Sequence, residues 1–308
     1  MRRDPTLTLA LALALAVVLA LATLPAAPAL AGDGPLFMWR AEKDGAVIDL
    51  LGSIHAGDTS FYPLDARIDE AVAAADTVAC EIDVTDPAVQ MKVAVLAQQQ
   101  GMYPADDSLK NHVSEATWQD LVTRLEGVVP PALLERMRPG LAATLVAQVA
   151  FTKAGLDMQS GVDLHIIGQA KTRGTPVVAL ETPEDQVALL FGPDAAIDAL
   201  MLTESLADDT DEMLAMLDDL VVAWKAGDPE ALERAYREDW LDLETMQRFH
   251  EELLLHRNHG MADRLRDRRG RWFVVVGALH LCGEEGVPAL LANAGWQVEQ
   301  VGAPALQR

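Results

Sequence analysis

Two cysteines, Cys80 and Cys282, are all that 308 residues contain. That is too few for a disulfide scaffold, and neither has a second cysteine at metal-binding spacing. Basic residues are also scarce. Lys and Arg number 24 against 47 Asp and Glu, a formal net charge of −23. Such a surface repels nucleic acid and anionic membrane, so neither is expected as a partner. Several signatures are missing too: no His-Glu-x-x-His helix, no Gly-x-x-x-x-Gly-Lys-Ser/Thr loop, and no Gly-x-Ser-x-Gly elbow around Ser53. Ordinary zincins, P-loop nucleotide hydrolases and serine hydrolases are therefore disfavoured.

What is present begins with a leader. Arg2 and Arg3 precede the apolar run "LTLALALALAVVLALATL", and "APALA" places small residues at Ala29 and Ala31. This is the pattern of a secretory signal over residues 1–31, and a retained anchor is the other reading of the same run. Cleavage after Ala31 implies a periplasmic or secreted protein with no stable membrane insertion. An exported chain meets an oxidising compartment, which permits a bridge between Cys80 and Cys282; two buried free thiols are the alternative. Without residues 1–31, which carry Arg2, Arg3 and Asp4, the net charge is −24. Residues 32–308 are long enough to bury a sizeable core as one large domain.

Along those residues, "LFMWRAEKDGAVIDLLGSIH" reads as a β-hairpin turning on Asp44-Gly45. An amphipathic helix follows, with Leu64, Ile68, Ala71 and Val72 on one face, then a short strand in "TVACEIDV" that carries Glu81. Strand, helix and strand at this length suggest a βαβ unit. The middle is mostly helical. Asp86 and Thr182 are N-cap residues, each followed by Pro at the first helical position, and Asp185 completes a capping box with Thr182. An interruption is expected at Pro139-Gly140. "SGVDLHIIGQAKTRG", residues 160–174, reads as an amphipathic helix leading to the strand "PVVALE", and residues 193 to about 268 are charged and helical. The strand "WFVVVG", a helix and a last strand close the chain. The fold class is α/β: a mixed or mostly parallel central sheet flanked by helices, with helical insertions, and two related halves as one way to explain a repeated motif.

The repeat is Gly-x-x-His. Gly52-Ser-Ile-His55 and Gly277-Ala-Leu-His280 each follow an apolar strand. Ligands in open α/β sheets sit beyond the carboxyl ends of strands, where His55, His280, Glu81 and Glu181 would converge if the strands are parallel. A glycine there allows unusual dihedrals or close approach to a ligand. Two imidazoles and a carboxylate suit a catalytic metal site, in which three protein ligands leave room for a water whose pKa the ion lowers. His112, His165, His250, His256 and His259 read as ordinary surface or core histidines.

The segments "LLGSIHAGD", "VACEID", "SGVDLHIIGQAK", "VVALETPEDQ", "HRNHGMA" and "VVVGALHLCGEEG", in that order and rough spacing, resemble the TraB/GumN family, related to the Tiki metalloproteases. The resemblance runs almost end to end over residues 32–308. It implies an α/β core with helical insertions and a metal-dependent hydrolytic or proteolytic site. Carried onto this chain, His55, His280 and Glu81 become metal ligands. Arg257 stabilises an oxyanion or orients a carboxylate, with a surface arginine as the plain alternative. Glu181 acts as a general base or is the buried end of a strand. Asn258 reads as a structural residue or as a partner behind a ligand, and Asp163 as a helix residue that caps or salt-bridges. The wider group, with erythromycin-esterase-like and ChaN-like members, has varied activities, so family alone does not name the substrate. Zinc, manganese and cobalt all accept imidazole and carboxylate ligands. The expected function is a secreted metal-dependent hydrolase acting on a peptide or small molecule. The alternative is a non-catalytic metal-, haem- or peptide-binding protein on the same scaffold.

Overall fold

The computed structural model describes residues 34–153, 155–191, 195–207, 210–237 and 250–303. The expected leader, residues 1–31, lies outside them. Among the described residues no helix is long and apolar enough to cross a membrane.

The chain opens with strands β1 (Met38–Lys43) and β2 (Ala46–Ser53), helix α1 (Ala66–Ala74) and strand β3 (Thr77–Cys80). Helices α2 (Pro87–Gln100), α3 (Glu115–Arg124), α4 (Pro131–Leu134), α5 (Pro139–Lys153) and α6 (Val162–Arg173) lead to strand β4 (Val177–Ala179). Then come α7 (Pro183–Leu190), α8 (Ala195–Ala207), α9 (Thr210–Lys225) and α10 (Pro229–Arg237). A π-helical turn (Glu251–Leu255) runs into α11 (His256–Leu265), followed by β5 (Arg271–Gly277), α12 (Val287–Asn293) and β6 (Gln297–Gln300).

Local signals account for many of these boundaries. Asp44 and Gly45 both have positive φ, 51° and 82°, as a type I′ hairpin turn requires. The Asp86 carboxylate accepts from the Ala88 N–H at the start of α2, and Thr182 and Asp185 form the reciprocal capping box of α7. The expected interruption falls just ahead of Pro139: α4 ends at Leu134 and Pro139 opens α5, where its missing N–H is harmless in a first turn. The expected helical stretch from residue 193 is described as Ala195–Ala207, Thr210–Lys225 and Pro229–Arg237, with a turn at residues 226–228, and as Glu251–Leu255 and His256–Leu265.

The six strands form a mixed sheet in the order β4-β3-β5-β2-β1-β6. β2, β3, β4 and β5 run parallel, while β1 is antiparallel to β2 and β6. The expected βαβ unit is present, with one strand between its two strands. β2 and β3 are parallel but not neighbours, because β5 lies between them. Phe273, Val274, Val275 and Val276 are all buried, so β5 has apolar side chains for both faces and takes the centre. Helices α1 and α6 pack on this part of the sheet, and α12 packs near β1 and β6.

The described chain divides into two compact units. The sheet unit runs to Asp83, resumes for Asp157–Glu181 and takes everything from Ala215 onward. Its core includes Ile48, Leu50, Val78, Ile166, Phe273 and Leu291. Truncating Phe273 to Ala would cost about 3–5 kcal/mol. The helical unit comprises Val84–Leu156 and Thr182–Leu214, so it enters the chain twice as insertions. Leu109, Trp118, Leu121, Leu134 and Leu202 form its main core. Within it, Arg138 donates to the buried Asp198 at 2.8 Å.

Candidate metal centre

Parallel strands place their carboxyl ends on one edge. His55 lies two residues past β2, Glu81 one past β3, Glu181 two past β4 and His280 three past β5. Glu81 and Glu181 thus stand beyond their strands rather than in them. Their backbones still run side by side, with Glu181 N–H donating to Glu81 C=O at 2.9 Å.

Each imidazole is oriented from behind. His55 Nδ1 lies 3.0 Å from Asp163 Oδ2, in the first turn of α6. A carboxylate only accepts, so Nδ1 carries the proton and Nε2 is turned toward Glu81. His280 sits in the 3-10 turn Ala278–Leu281, with Nδ1 2.6 Å from Asn258 Oδ1. Asn258 Nδ2 donates to the Glu285 carbonyl at 2.8 Å, which fixes the amide with its oxygen toward His280. Nδ1 is again the donor, and Nε2 again faces forward. Nδ1–H held by an oxygen is how metal-ligating histidines are commonly aimed.

Both Nε2 atoms face the same carboxylate oxygen. Glu81 Oε1 is 3.7 Å from His55 Nε2 and 3.9 Å from His280 Nε2. These are too long for hydrogen bonds. They are near the spacing of about 3.4 Å that two ligands keep on one tetrahedral ion with bonds close to 2.1 Å. Oε1 also accepts the Gly277 N–H at 2.6 Å, and Oε2 takes a short hydrogen bond from Arg257 Nη2. Arg257, in α11, donates from Nε and Nη2 to the two oxygens of Glu181, both at 2.7 Å, and from Nη1 to Leu253 C=O at 3.0 Å. Arg257 therefore clamps two carboxylates, and both oxygens of Glu181 are taken by it.

Gly277 marks the meeting point. A Cβ built there would lie 3.2 Å from His55 Nε2, 3.3 Å from Glu81 Oε1 and 3.6 Å from His280 Cδ2. Its φ of −51° and ψ of 138° suit any residue, so the glycine serves space rather than conformation. The cradle a methyl group would fill is bordered by two imidazoles and a carboxylate, and that donor set fits a divalent ion. Among the described residues, however, no three His, Cys, Asp or Glu side chains are drawn together as a ready metal cage. Gly161 is needed for a different reason, because a Cβ there would collide with the His55 carbonyl.

Charges at the site are uneven. Burial opposes ionisation of Glu81, yet the charges at His280, His55 and Arg257 and the Gly277 N–H lower its pKa to about 2. Partial loss of water around the half-exposed His55 ring would depress it, but the hydrogen bond and charge of Asp163, with Glu81, raise it to about 9. His280 moves the other way. Burial lowers it to about 4, helped by Arg257 and His55 and opposed by Glu81. Since His280 is neutral near pH 7, Arg257, His55 and the Gly277 N–H are what hold the Glu81 anion there.

Asp163, expected to cap or salt-bridge, pairs with His55, and Asn258, expected as a structural residue or a partner behind a ligand, holds His280. Their appearance in "SGVDLH" and "HRNHG" was the available signal, and their partners emerge only in three dimensions. Cys80 and Cys282 are free and buried, so the bridge that export would permit is absent. Burial pushes both thiols up to about 12.

The chain belongs to the TraB/PrgY/gumN family, whose sequence profile matches residues 37–300. It is similar to YbaP of Escherichia coli (strain K12) and YbaP of Shigella flexneri, both described as uncharacterized proteins. Each is 29% identical over 256 residues, spanning 79% of this chain and 86% of the relative. No solved structure matches.

Proposed function

We propose that the protein is an exported, metal-dependent hydrolase acting on a peptide or a comparably small carbonyl substrate. One observation carries the reading: the cradle at Gly277 is bordered by His55 Nε2, Glu81 Oε1 and the ring of His280. His55, His280 and Glu81 would hold the ion, which would supply Lewis acidity and a water of lowered pKa. Asp163 and Asn258 keep each Nδ1 protonated and each Nε2 forward. Arg257 holds Oε2 of Glu81, so Oε1 alone faces the cradle, where it binds or takes a proton. Glu181 sets the plane of the Arg257 guanidinium.

The engagement of both carboxylates by Arg257 favours a second reading, a binding protein that holds a metal, haem or peptide without turnover. Metal analysis of protein purified without added metal, with turnover on a peptide library, separates the two. Near-stoichiometric divalent metal with cleavage is expected. His55→Ala and His280→Ala should each lose the metal and the activity while melting near the wild-type temperature. Glu81→Gln should weaken metal binding if Glu81 is a ligand; if it is the base, metal stays and turnover falls about two to four orders of magnitude. Metal retained by both histidine variants would sink the shared site.

A further inference from the structure

Ser53 is the last residue of β2 and only 2% exposed. Its hydroxyl is buried, and among the described residues no atom makes a hydrogen bond with it. Buried hydroxyls are nearly always satisfied, and one left unpaired costs stability. Stability alone therefore gives no reason for a serine here, where alanine would fit with less penalty.

Its position supplies one. Ser53 and Gly277 are register partners on the parallel strands β2 and β5. Register partners on adjacent strands send their side chains to the same face of a sheet, with the strands about 4.8 Å apart. The Ser53 side chain thus leaves the sheet beside the direction a Gly277 Cβ would take. That direction leads to His55 Nε2 and Glu81 Oε1. His55 is two residues further along the same chain, so Ser53 is the last strand residue before the turn that carries His55.

We infer that Ser53 is a substrate-contacting residue whose hydroxyl donates a hydrogen bond to an oxygen of the substrate, the carbonyl at which hydrolysis occurs. The inference rests on the hydrolase reading. The cradle's side of the sheet then carries a donor for the oxygen that gains negative charge, on the strand next to Gly277. Hydroxyl donors at such positions stabilise developing charge without moving during reaction. Arg257, already committed to Glu81 and Glu181, does not serve that oxygen. The site tolerates an unpaired hydroxyl in the free protein because the partner arrives with the ligand.

The test is Ser53→Ala in the full chain, with matched metal content, read in three ways. Thermal melting should be unchanged or slightly raised, since an unpaired buried hydroxyl is removed. Affinity for acetohydroxamate, a carbonyl-oxygen probe measured by calorimetry, should fall about 3- to 10-fold, the worth of one neutral hydrogen bond. Turnover of the best library peptide should fall at least as far. A Ser53→Ala protein that binds the probe and turns over within twofold of wild type overturns the role of Ser53 alone. A melting temperature several degrees lower also overturns it, because the hydroxyl would then be structural. Wild-type protein that neither binds the probe nor cleaves any peptide overturns the hydrolase reading and this inference with it.

Discussion

The two Gly-x-x-His units share a spacing and a strand exit, yet they are built for opposite conditions. The first leaves the His55 side chain 48% exposed and backs it with a carboxylate; the second leaves His280 4% exposed and backs it with a neutral amide. One ring is driven toward the cation, the other toward the neutral form. The glycines differ as well. Gly277 keeps the cradle open, whereas a Cβ on Gly52 would meet Phe37 Cδ1 at 2.5 Å and the Ala278 Cα at 3.0 Å. A repeated motif can thus place two groups at one edge while its members do separate physical work.

The largest effect that should break this pairing comes from adding one methyl group to each glycine. Gly277→Ala should abolish metal binding and lower turnover by several orders of magnitude. Its stability should hold within about 1 kcal/mol, since the backbone angles suit alanine and His55 has room to yield. Gly52→Ala should do the reverse. It forces β2 away from β1 and the Ala278 turn, costing about 1–3 kcal/mol in denaturant unfolding, with the metal still bound in whatever fraction folds. Equal losses of metal at equal stability would show that the two glycines are equivalent after all.

A smaller change sharpens the contrast between the histidines. Asp163→Asn gives His55 the kind of neutral partner His280 has. Metal affinity should weaken about 10- to 100-fold, as for other groups that orient a ligand. In the wild type, His55 is protonated at pH 7 and His280 is not, so loading the ion should release about one proton rather than two. Calorimetry in buffers of different ionisation enthalpy counts it, and Asp163→Asn should release less. The sign for the ion-free protein follows. The raised His55 value contributes stability that is complete below the unfolded pKa near 6.5 and is lost as pH rises through about 9. Two released protons would mean that His280 is as wet as His55.

The gentlest probe uses the thiols beside Glu81 and His280. At pH 8 neither Cys80 nor Cys282 should react with a thiol reagent in the folded protein, since burial pushes both up to about 12. Both should react after unfolding without reductant. Rapid native labelling at Cys282 alone would mean that the second Gly-x-x-His unit opens in solution.

Much of this was legible in the chain because it is local. The Asp44-Gly45 turn, the Asp86 cap and the Thr182–Asp185 box each depend on residues within a few positions of one another. The strand exits at His55 and His280 were legible for the same reason. The insertion of β5 between β2 and β3 was not, because it depends on which strand can bury both faces. Nor was the use of Asp163 and Asn258, whose partners lie 108 and 22 residues away. Arg257 was visible as a charge open to two readings, and only the fold brings it onto Glu81 and Glu181. The unpaired hydroxyl of Ser53 leaves no pattern in composition or spacing at all.

The central place of β5 also orders events in time. β2 and β3 are made early, but they have no shared neighbour until Val47 can pair with Arg271 and Thr77 with Trp272. His55 and Glu81 therefore wait, apart and inert, while most of the chain is synthesised. Pairings this distant in sequence form slowly. No fragment ending before residue 280 can bring His55, Glu81 and His280 together, so on the proposed reading a chain still emerging, or cut short, would carry no chemistry. On the proposed reading, reactivity would arrive in one late step, when the strand that holds the sheet together also brings His280 to its edge.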